Sequence, residues 1–383
     1  MMLGLSWPLW VGDGAVPRVP FVAGMPRTSP VVARLMCLGL GASVLMTGFS
    51  TRWRAWYALS LGLFAVSWAQ DQHRFQPWSY QYAMTGLLIA WLPRGSGVRY
   101  AGWWFASLYT HSALSKFDAS FCGELGLRFI ETAVRPFGLD PSTWPAGLRV
   151  AAVLAMPVFE LAVAVALAFP GSKRIGLAGT TALHLSLIAV LGPAGLGHSA
   201  IVLVWNAAIL AEVWAVFSAG TELAVGVKPG GGLPAGLARV AFWASVLLPV
   251  GERWGVFDAW PSHALYASHV ERLTVDLHES EVERYPESVR RHLLATGDGP
   301  WRRLDLTGWS RDERGTPAYP QNRAGLGLAE GLAARYGGRG LVRVTLHGPA
   351  ERWTGRRPRT ELIGLDAIRR WSVRYRLNAH PAT

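Results

Sequence analysis

Charged residues are scarce in this chain of 383 residues: Asp, Glu, Lys and Arg together make up 16%. An ordinary soluble domain contains about 25%. The shortage is uneven, because residues 31–250 consist mainly of apolar runs. Residues 260–383 contain twenty Arg, fourteen Asp or Glu and no Lys, a density typical of a soluble domain. The composition therefore predicts two parts of the chain with two different solvents, lipid for the first and water for the second.

Cysteine is nearly absent as well. Cys37 lies in an apolar run, Cys122 lies in a predicted loop, and there is no CxxC pair. This pattern argues against a disulfide framework and excludes a dithiol relay built from the chain's own thiols.

The net charge of +12 could by itself indicate a nucleic-acid-binding protein. No zinc-finger spacing, RNP-like motif or Lys-rich run accompanies it. In a membrane protein the same excess follows from basic cytoplasmic loops and from affinity for anionic lipid surfaces. We therefore expect membrane lipids as partners and no nucleic acid.

Eight apolar segments approach the roughly 20 residues that a helix needs to cross a bilayer. The shorter ones can be completed by interfacial Trp and Tyr, and the chain has 19 Trp. Eight buried helices of one soluble protein are the alternative, which so few charges disfavour. The predicted spans are residues 31–49, 55–69, 80–92, 100–114, 148–169, 175–191, 200–217 and 235–250.

The sequence thus predicts an all-α polytopic membrane helix bundle of about eight spans followed by a small soluble α+β domain. The predicted parts are an N-terminal lead-in at 1–30, a transmembrane domain at 31–250, a linker at 251–261 and an Arg-rich soluble domain at 262–383. In that last domain, period-two alternation predicts strands at 273–278 and 341–346. Further strands are predicted at 301–310 and 375–378, and helices at 281–294 and 322–336.

Basic residues predict the orientation in the membrane. Four predicted loops carry almost only positive charge, and the positive-inside rule places such loops in the cytoplasm. With eight spans this makes a multi-pass protein of the cell membrane whose tail is extracytoplasmic. Arg18, Arg27 and Arg34 before the first span favour the opposite orientation. The basic loop residues are Arg52, Arg54, Arg94, Arg99, Lys173, Arg174, Lys228 and Arg239.

Several polar side chains lie within predicted spans: Glu160, His184, Asn206 and Glu212. A charged residue at the centre of a membrane helix costs about 2.5–3.5 kcal/mol on insertion scales, so its presence needs a reason. One interpretation is a polar pocket or a proton path between helices. The other is an interhelical hydrogen bond that only fixes packing, typically near 1 kcal/mol or less.

The fourth predicted span ends in a dense polar cluster, residues 109–118. Helical spacing places His111, Ser115 and Asp118 on one face of the cluster. A second face carries Tyr109, Ser112 and Lys116. We hypothesise that Lys116, with His111 nearby, is a proton-transfer group, because loss of solvation favours the neutral amine that can act as a base. The alternative is a lysine that snorkels to lipid head groups with Asp118 as its salt-bridge partner.

A second polar cluster, residues 71–82, lies between the second and third spans. It contains a carboxylate, an imidazole and aromatic rings at Asp71, His73, Trp78 and Tyr82. The favoured topology places this cluster on the same side of the membrane as the Lys116 cluster and as His198, which lies in the loop at 192–198. Three polar loops that converge on one face would form one site.

Taken together, these motifs resemble the transmembrane domain of the vitamin K-dependent γ-carboxylase-like family, often called HTTM. Ser115-Lys-Phe-Asp-Ala-Ser-Phe121 is similar to that family's Lys-Leu-Asp motif, and His184 is similar to its later membrane histidine. The stretch from Ser115 to Pro157-Val-Phe-Glu160 also resembles the redox-associated membrane proteins MauE and DoxX. The resemblance covers roughly residues 31–217.

The resemblance implies a quinone-like lipid as cofactor and a membrane redox protein as partner. It implies catalytic roles for Lys116, as the base, and for His184, and the position of His111 beside Lys116 makes it a third candidate catalytic residue. The residues expected to hold the cofactor are Asp71, His73, Trp78, Tyr82, Asp118, Glu160, His198 and Asn206.

Three functions stay open at this point. The first is a membrane enzyme or redox-associated subunit that handles a quinone-like lipid. The second is a non-catalytic membrane scaffold whose soluble tail binds a partner or anionic lipid. The third is a proton-coupled transporter that uses Glu160 and His184, which the lack of a visible inverted repeat disfavours.

Overall fold

Each of the eight predicted spans coincides with a helix. The structure is a computed structural model and describes residues 1–12, 14–26, 28–218, 232–336 and 340–382, without the side chain of Arg94. Arg27 and Lys228, which entered the orientation argument, lie outside the described residues. The eight helices are α3 Pro30–Phe49, α4 Trp53–Gln70, α5 Pro77–Trp91, α6 Arg94–Leu114, α9 Ala146–Ala168, α10 Lys173–Leu191, α11 Ala200–Ser218 and α12 Leu233–Leu247.

Five helical segments of the described chain are long and apolar enough to cross a membrane. At most 39% of any of their apolar windows is buried inside the protein. Soluble proteins rarely leave apolar surface on this scale in water, so the five segments indicate a membrane protein. That all eight helices cross stays a prediction, because α4, α5 and α6 are shorter or more polar. The five segments are Pro30–Phe49, Ala146–Ala168, Pro170–Leu191, Ala200–Ser218 and Leu233–Trp254.

The chain forms two compact units. The first comprises Met1–Ser79, Glu271–Gly348 and Arg357–Thr383, and the second comprises Tyr80–Val270 and Pro349–Arg356. Helices α3 and α4 therefore group with the C-terminal sheet rather than with the later membrane helices. The two compact units are defined by contacts between residues. They do not test the predicted division into a membrane domain at 31–250 and a soluble domain at 262–383, which stays a prediction.

The second unit is built on four helices that contact one another in a closed order, α6 to α9, α9 to α10, α10 to α11 and α11 back to α6. Helix α12 packs on the outside of α6. Two short helices, α7 Ala119–Gly123 and α8 Leu125–Val134, follow α6. Small residues allow the close packing: a Cβ on Gly176 would lie 2.8 Å from the backbone nitrogen of Leu167 in α9.

The first unit contains a five-stranded antiparallel sheet with the order β2-β3-β1-β4-β5. Its core packs α15 against β1 and β4 and includes Val275, Leu326 and Val344. Val16 and Val19 of the predicted lead-in are buried in the same core. The elements are α1 Met2–Leu5, α2 Trp7–Val11, β1 Arg272–His278, α13 Glu287–Arg290, β2 Leu293–Ala295, β3 Trp301–Leu304, α14 Leu306–Arg314, α15 Asn322–Tyr336, β4 Val342–His347, β5 Arg359–Ile363 and α16 Leu365–Ser372.

Three sequence predictions in this region are wrong. The helix predicted at 281–294 is a 3₁₀ turn, the short α13 and β2, because Pro286 lacks the N–H that a continuous helix needs. The strand predicted at 301–310 ends at Leu304, since Asp305 accepts a hydrogen bond from Gly308 N at 2.9 Å and starts α14. The described residues 375–378 form no strand.

Candidate functional site

A cavity of about 400 Å³ lies between α6, α8, α9, α10 and α11 in the second unit. Most of its lining is aliphatic or aromatic, including Phe121, Phe129, Met156 and Phe159. A small number of polar side chains interrupt this apolar wall. Concave sites of this kind, with few and fixed polar groups, bind largely apolar molecules. The polar or amphipathic lining residues are Tyr109, Ser112, Lys116, Glu160, His184, Ser186, Trp205, Asn206 and Tyr266.

Lys116 and Glu160 form an ion pair in the cavity wall. The Lys116 ammonium donates to Glu160 Oε2 at 2.7 Å, to Ser112 Oγ at 2.6 Å and to the Ser112 carbonyl oxygen at 2.9 Å. All three N–H groups of the ammonium are therefore used. The side chains of the pair are 9% and 11% exposed. Because their charges balance, the apolar wall carries no net charge at this point.

Tyr109, His184 and Asn206 form a second polar group, which links α6, α10 and α11. The Tyr109 hydroxyl lies 2.8 Å from His184 Nε2, and His184 Nδ1 lies 2.9 Å from Asn206 Oδ1. Asn206 Nδ2 donates to the Val202 carbonyl at 2.9 Å, which fixes the amide oxygen as the acceptor. In the neutral imidazole Nδ1 then donates to Asn206, and Nε2 accepts from the Tyr109 hydroxyl. The chain of hydrogen bonds thus has a defined direction.

The cavity gathers four of the predicted site residues, namely Lys116, Glu160, His184 and Asn206. His111 is not among them. Its Nε2 lies 2.9 Å from the Val246 carbonyl oxygen, and it lines a different groove beside α12. The expectation that His111 and Lys116 share one site does not match this geometry, because their five-residue spacing turns them to different faces of the helix end.

Asp118 is not the salt-bridge partner of Lys116, contrary to the snorkelling alternative. Asp118 Oδ1 caps α7 by accepting from Phe121 N at 2.7 Å and from the Ser120 hydroxyl at 2.5 Å. Its other oxygen faces His269 Nδ1 at 3.1 Å. The carboxylate next in sequence is therefore engaged elsewhere, and the helix bundle supplies Glu160, 44 residues away.

Asp118, His269 and Glu252 form a buried carboxylate–imidazole–carboxylate cluster. His269 Nε2 lies 3.0 Å from Glu252 Oε2, and Arg253 lies 3.8 Å from Asp118. Burial alone would lower the pKa of His269, but the hydrogen bonds to Asp118 and Glu252 outweigh burial and raise it. Burial likewise opposes ionisation of Asp118, yet its hydrogen bonds with His269 and Ser120 lower its pKa. The two carboxylates thus stabilise the imidazolium form of His269.

Asp71, His73 and Trp78 have their contacts within the first unit. Asp71 accepts from Val19 N at 3.3 Å and pairs with His73 Nδ1 at 2.9 Å. Burial opposes the charge of Asp71, but nearby Arg314 and His73 hold its pKa well below its usual range. Trp78 packs among Trp10 and Phe64. These contacts join distant segments of the first unit, which is a structural role.

The remaining two predicted residues belong to the second unit. Tyr82 is half-buried on α5. The His198 ring lies 5.9 Å from the ring of Tyr266, which itself lines the cavity. His198 is thus one residue removed from the cavity.

Sequence reasoning missed two kinds of lining residue. Tyr109 and Ser112 were placed on the helical face of Lys116 by their spacings of seven and four residues, and the same signal could have included them among the predicted site residues. Tyr266 gave no such signal, since it lies in an irregular segment that was assigned to the soluble tail. It has a positive φ of 60°, which is unusual for a residue with a side chain and marks a constrained turn.

Comparison of the chain with family models, curated proteins and solved structures gives no match. The resemblance to the HTTM and MauE/DoxX families therefore stays a prediction carried by the residues alone.

Proposed function

We propose that this multi-pass membrane protein binds a quinone-like lipid in the cavity between α6, α8, α9, α10 and α11 and takes part in membrane redox work. The observation that carries the proposal is the combination in one apolar cavity of a buried ion pair, Lys116 and Glu160, with a hydrogen-bonded Tyr109–His184 pair. A volume of about 400 Å³ is within the range of small-molecule sites.

The wall of the cavity matches the chemistry of such a ligand. A quinone supplies two carbonyl oxygens on an apolar ring and a reversible couple of two electrons and two protons. The Lys116 ammonium would exchange its hydrogen bond to the Ser112 hydroxyl for one to a quinone carbonyl oxygen, while Glu160 balances its charge. The aromatic and aliphatic side chains of α8 and α9 cover the ring and its tail.

The residues of the cavity also offer a way to hold and move a proton. Lys116 can give up a proton to a ligand oxygen and recover it from water, with Glu160 stabilising the charged form between events. In the opposite direction the neutral amine would accept a proton from a bound quinol, which is the base role that the family resemblance implies for the same lysine. Electrons would come from a membrane redox partner. With about eight spans and basic loops in the cytoplasm, this proposal places the Arg-rich tail outside the cell membrane.

The proposal is tested by whether a quinone co-purifies with the protein. The full chain is purified in mild detergent and extracted with organic solvent, and the extract is assayed for ultraviolet absorbance that changes on chemical reduction. We expect about one quinone per protein. Ala152 lines the cavity on α9, whereas its neighbour Ala151 is exposed and does not.

A matched pair of variants localises the ligand. Ala152→Trp fills the cavity and should remove the redox-active absorbance, while Ala151→Trp should leave it unchanged. A wild-type protein free of quinone would contradict the proposal, as would equal ligand content in the two variants. In that case the scaffold interpretation would be preferred.

A further inference from the structure

A second cavity in the same unit has a different design. It is a groove of about 720 Å³ between α6, the end of α9 and α12. Its lining on α6 begins at Arg99 and ends at His111, twelve residues later. At about 1.5 Å per residue this spans roughly 18 Å, which is close to one leaflet of a bilayer core about 30 Å thick.

The body of the groove is apolar. Trp103, Phe169, Phe242 and Trp243 form this apolar part of the wall together with five Ala and Val residues. Thr110 is a polar residue of the wall, and its hydroxyl donates to the Ala106 carbonyl at 2.8 Å. His111 is held by the Val246 carbonyl, so these two side chains are directed to backbone. Tyr100 and Ser107 also line the groove, and the buried Ser107 hydroxyl has no hydrogen-bond partner among the described residues. A wall of this kind suits a hydrocarbon chain.

One end of the groove is basic. Arg99 lines that end and is exposed in the second turn of α6. Lys173 follows the lining residue Phe169 by four residues, and Arg239 precedes the lining residue Phe242 by one helical turn. The segments 94–99, 169–175 and 232–242 contain no Asp or Glu. Within the described part of the chain, these three segments therefore carry positive charge and no negative charge.

We propose that the groove binds an anionic glycerophospholipid of the surrounding bilayer. Arg99 holds the phosphate, Lys173 and Arg239 add attraction for the negative head group, and one acyl chain lies along Trp103 towards His111. Arg side chains bind phosphate through charge-assisted hydrogen bonds. The basic end of this groove lies at the opposite end of α6 from Lys116, and the inference does not depend on quinone binding.

The test compares two lipids on the full-length protein in detergent. Phosphatidylglycerol and phosphatidylcholine are added separately, and bound lipid is counted by native mass spectrometry. We expect the wild-type protein to retain phosphatidylglycerol in preference to phosphatidylcholine. Arg99→Gln should weaken phosphatidylglycerol binding about fivefold, the effect of one basic residue at a membrane surface. Ala168→Trp, which fills the groove, should reduce binding of both lipids.

Arg149→Gln is the control, because Arg149 lies in the first turn of α9, far along the helix from Phe169, and does not line the groove. It should bind phosphatidylglycerol like the wild type. Equal retention of the two lipids by the wild type would overturn the proposal, and so would equal losses in Arg99→Gln and Arg149→Gln. If Ala168→Trp fails to fold, the two arginine variants decide the matter, since both side chains lie at the protein surface or near it.

Discussion

Lys116 and Glu160 show how a membrane cavity keeps charged side chains at low cost. Each is almost fully covered, and each is the counter-ion of the other at 2.7 Å. Removal of one partner leaves an uncompensated buried charge, which costs about 3–5 kcal/mol, whereas removal of both is often nearly neutral. The pair should therefore behave as one unit in stability measurements.

We predict that Lys116→Met and Glu160→Leu each lower the thermal unfolding midpoint in detergent, and that the double variant recovers most of the loss. Lys116→Arg keeps the charge and serves as the control, so its midpoint should stay near the wild type. Arginine does not deprotonate in proteins, so this variant should still lose any proton-transfer activity. Additive losses in the double variant would show that the two side chains are not coupled.

His269 gives the molecule a dependence on pH outside its membrane helices. Its folded pKa is raised above the ordinary 6.5, since hydrogen bonds to Asp118 and Glu252 outweigh burial. The stabilisation is therefore complete below pH 6.5 and is lost as the pH rises through the raised folded pKa. Arg253 also faces Asp118 and carries the same charge throughout this range.

We predict that the unfolding midpoint of the wild type falls as the pH is raised above 6.5. His269→Gln, which can hydrogen-bond but cannot carry the charge, should flatten this fall. Thermal unfolding of both proteins across a pH series measures the difference. An unchanged slope in His269→Gln would assign the pH dependence to another group.

Some residues of the cavity could be predicted one by one, because a polar side chain within an apolar run is easy to recognise. Glu160, His184 and Asn206 are conspicuous because polar groups are expensive in apolar runs. The partner of Lys116 was not predictable, since Asp118 is nearer in sequence and only the packing of α9 on α6 brings Glu160 to the lysine. Tyr266 could not be found either, because an irregular segment has no periodicity from which to infer its direction.

At the scale of elements, the membrane helices follow from the sequence with little ambiguity. A run of apolar residues forms a helix in lipid because every backbone group must find its partner within the segment. The short elements of the tail follow less well. β5 was missed because it is an Arg- and Glu-bearing edge strand, and charges on an edge strand hide its alternation.

Helix α6 makes the most direct test of crossing, because it is membrane-length yet falls outside the five most apolar segments. We predict that Ser96 near its start and Ser142 after its end lie on opposite sides of the membrane. Single Cys substitutions at these positions, in a background without Cys37 and Cys122, are labelled with an impermeant thiol reagent in intact cells. The positive-inside rule predicts labelling at residue 142 alone. Labelling of both positions from outside would mean that α6 does not cross.

At the scale of the whole molecule, the division of the chain by amino-acid composition differs from its division into two compact units. Composition separates residues 31–250 from the Arg-rich tail, but compactness groups α3 and α4 with the C-terminal sheet. The reason is that N-terminal segments enter the core of the first unit, where Val19 is fully buried and Gln72 donates to the carbonyls of Pro20 and Asn378. Contacts between such remote segments leave no local pattern in the sequence.

The central claim is that the cavity at Lys116 binds a quinone-like lipid, and titration of the ligand-free protein with a short-chain quinone tests it most directly. Binding is followed by quenching of tryptophan fluorescence, since Trp205 lines the cavity. Loss of a hydrogen bond from a charged donor should weaken binding in Lys116→Met by about tenfold or more. Lys173→Met, a lysine outside the cavity, should bind like the wild type. Saturable binding with this difference is the predicted result, and equal affinity in the two variants, or no saturable binding, would contradict the account.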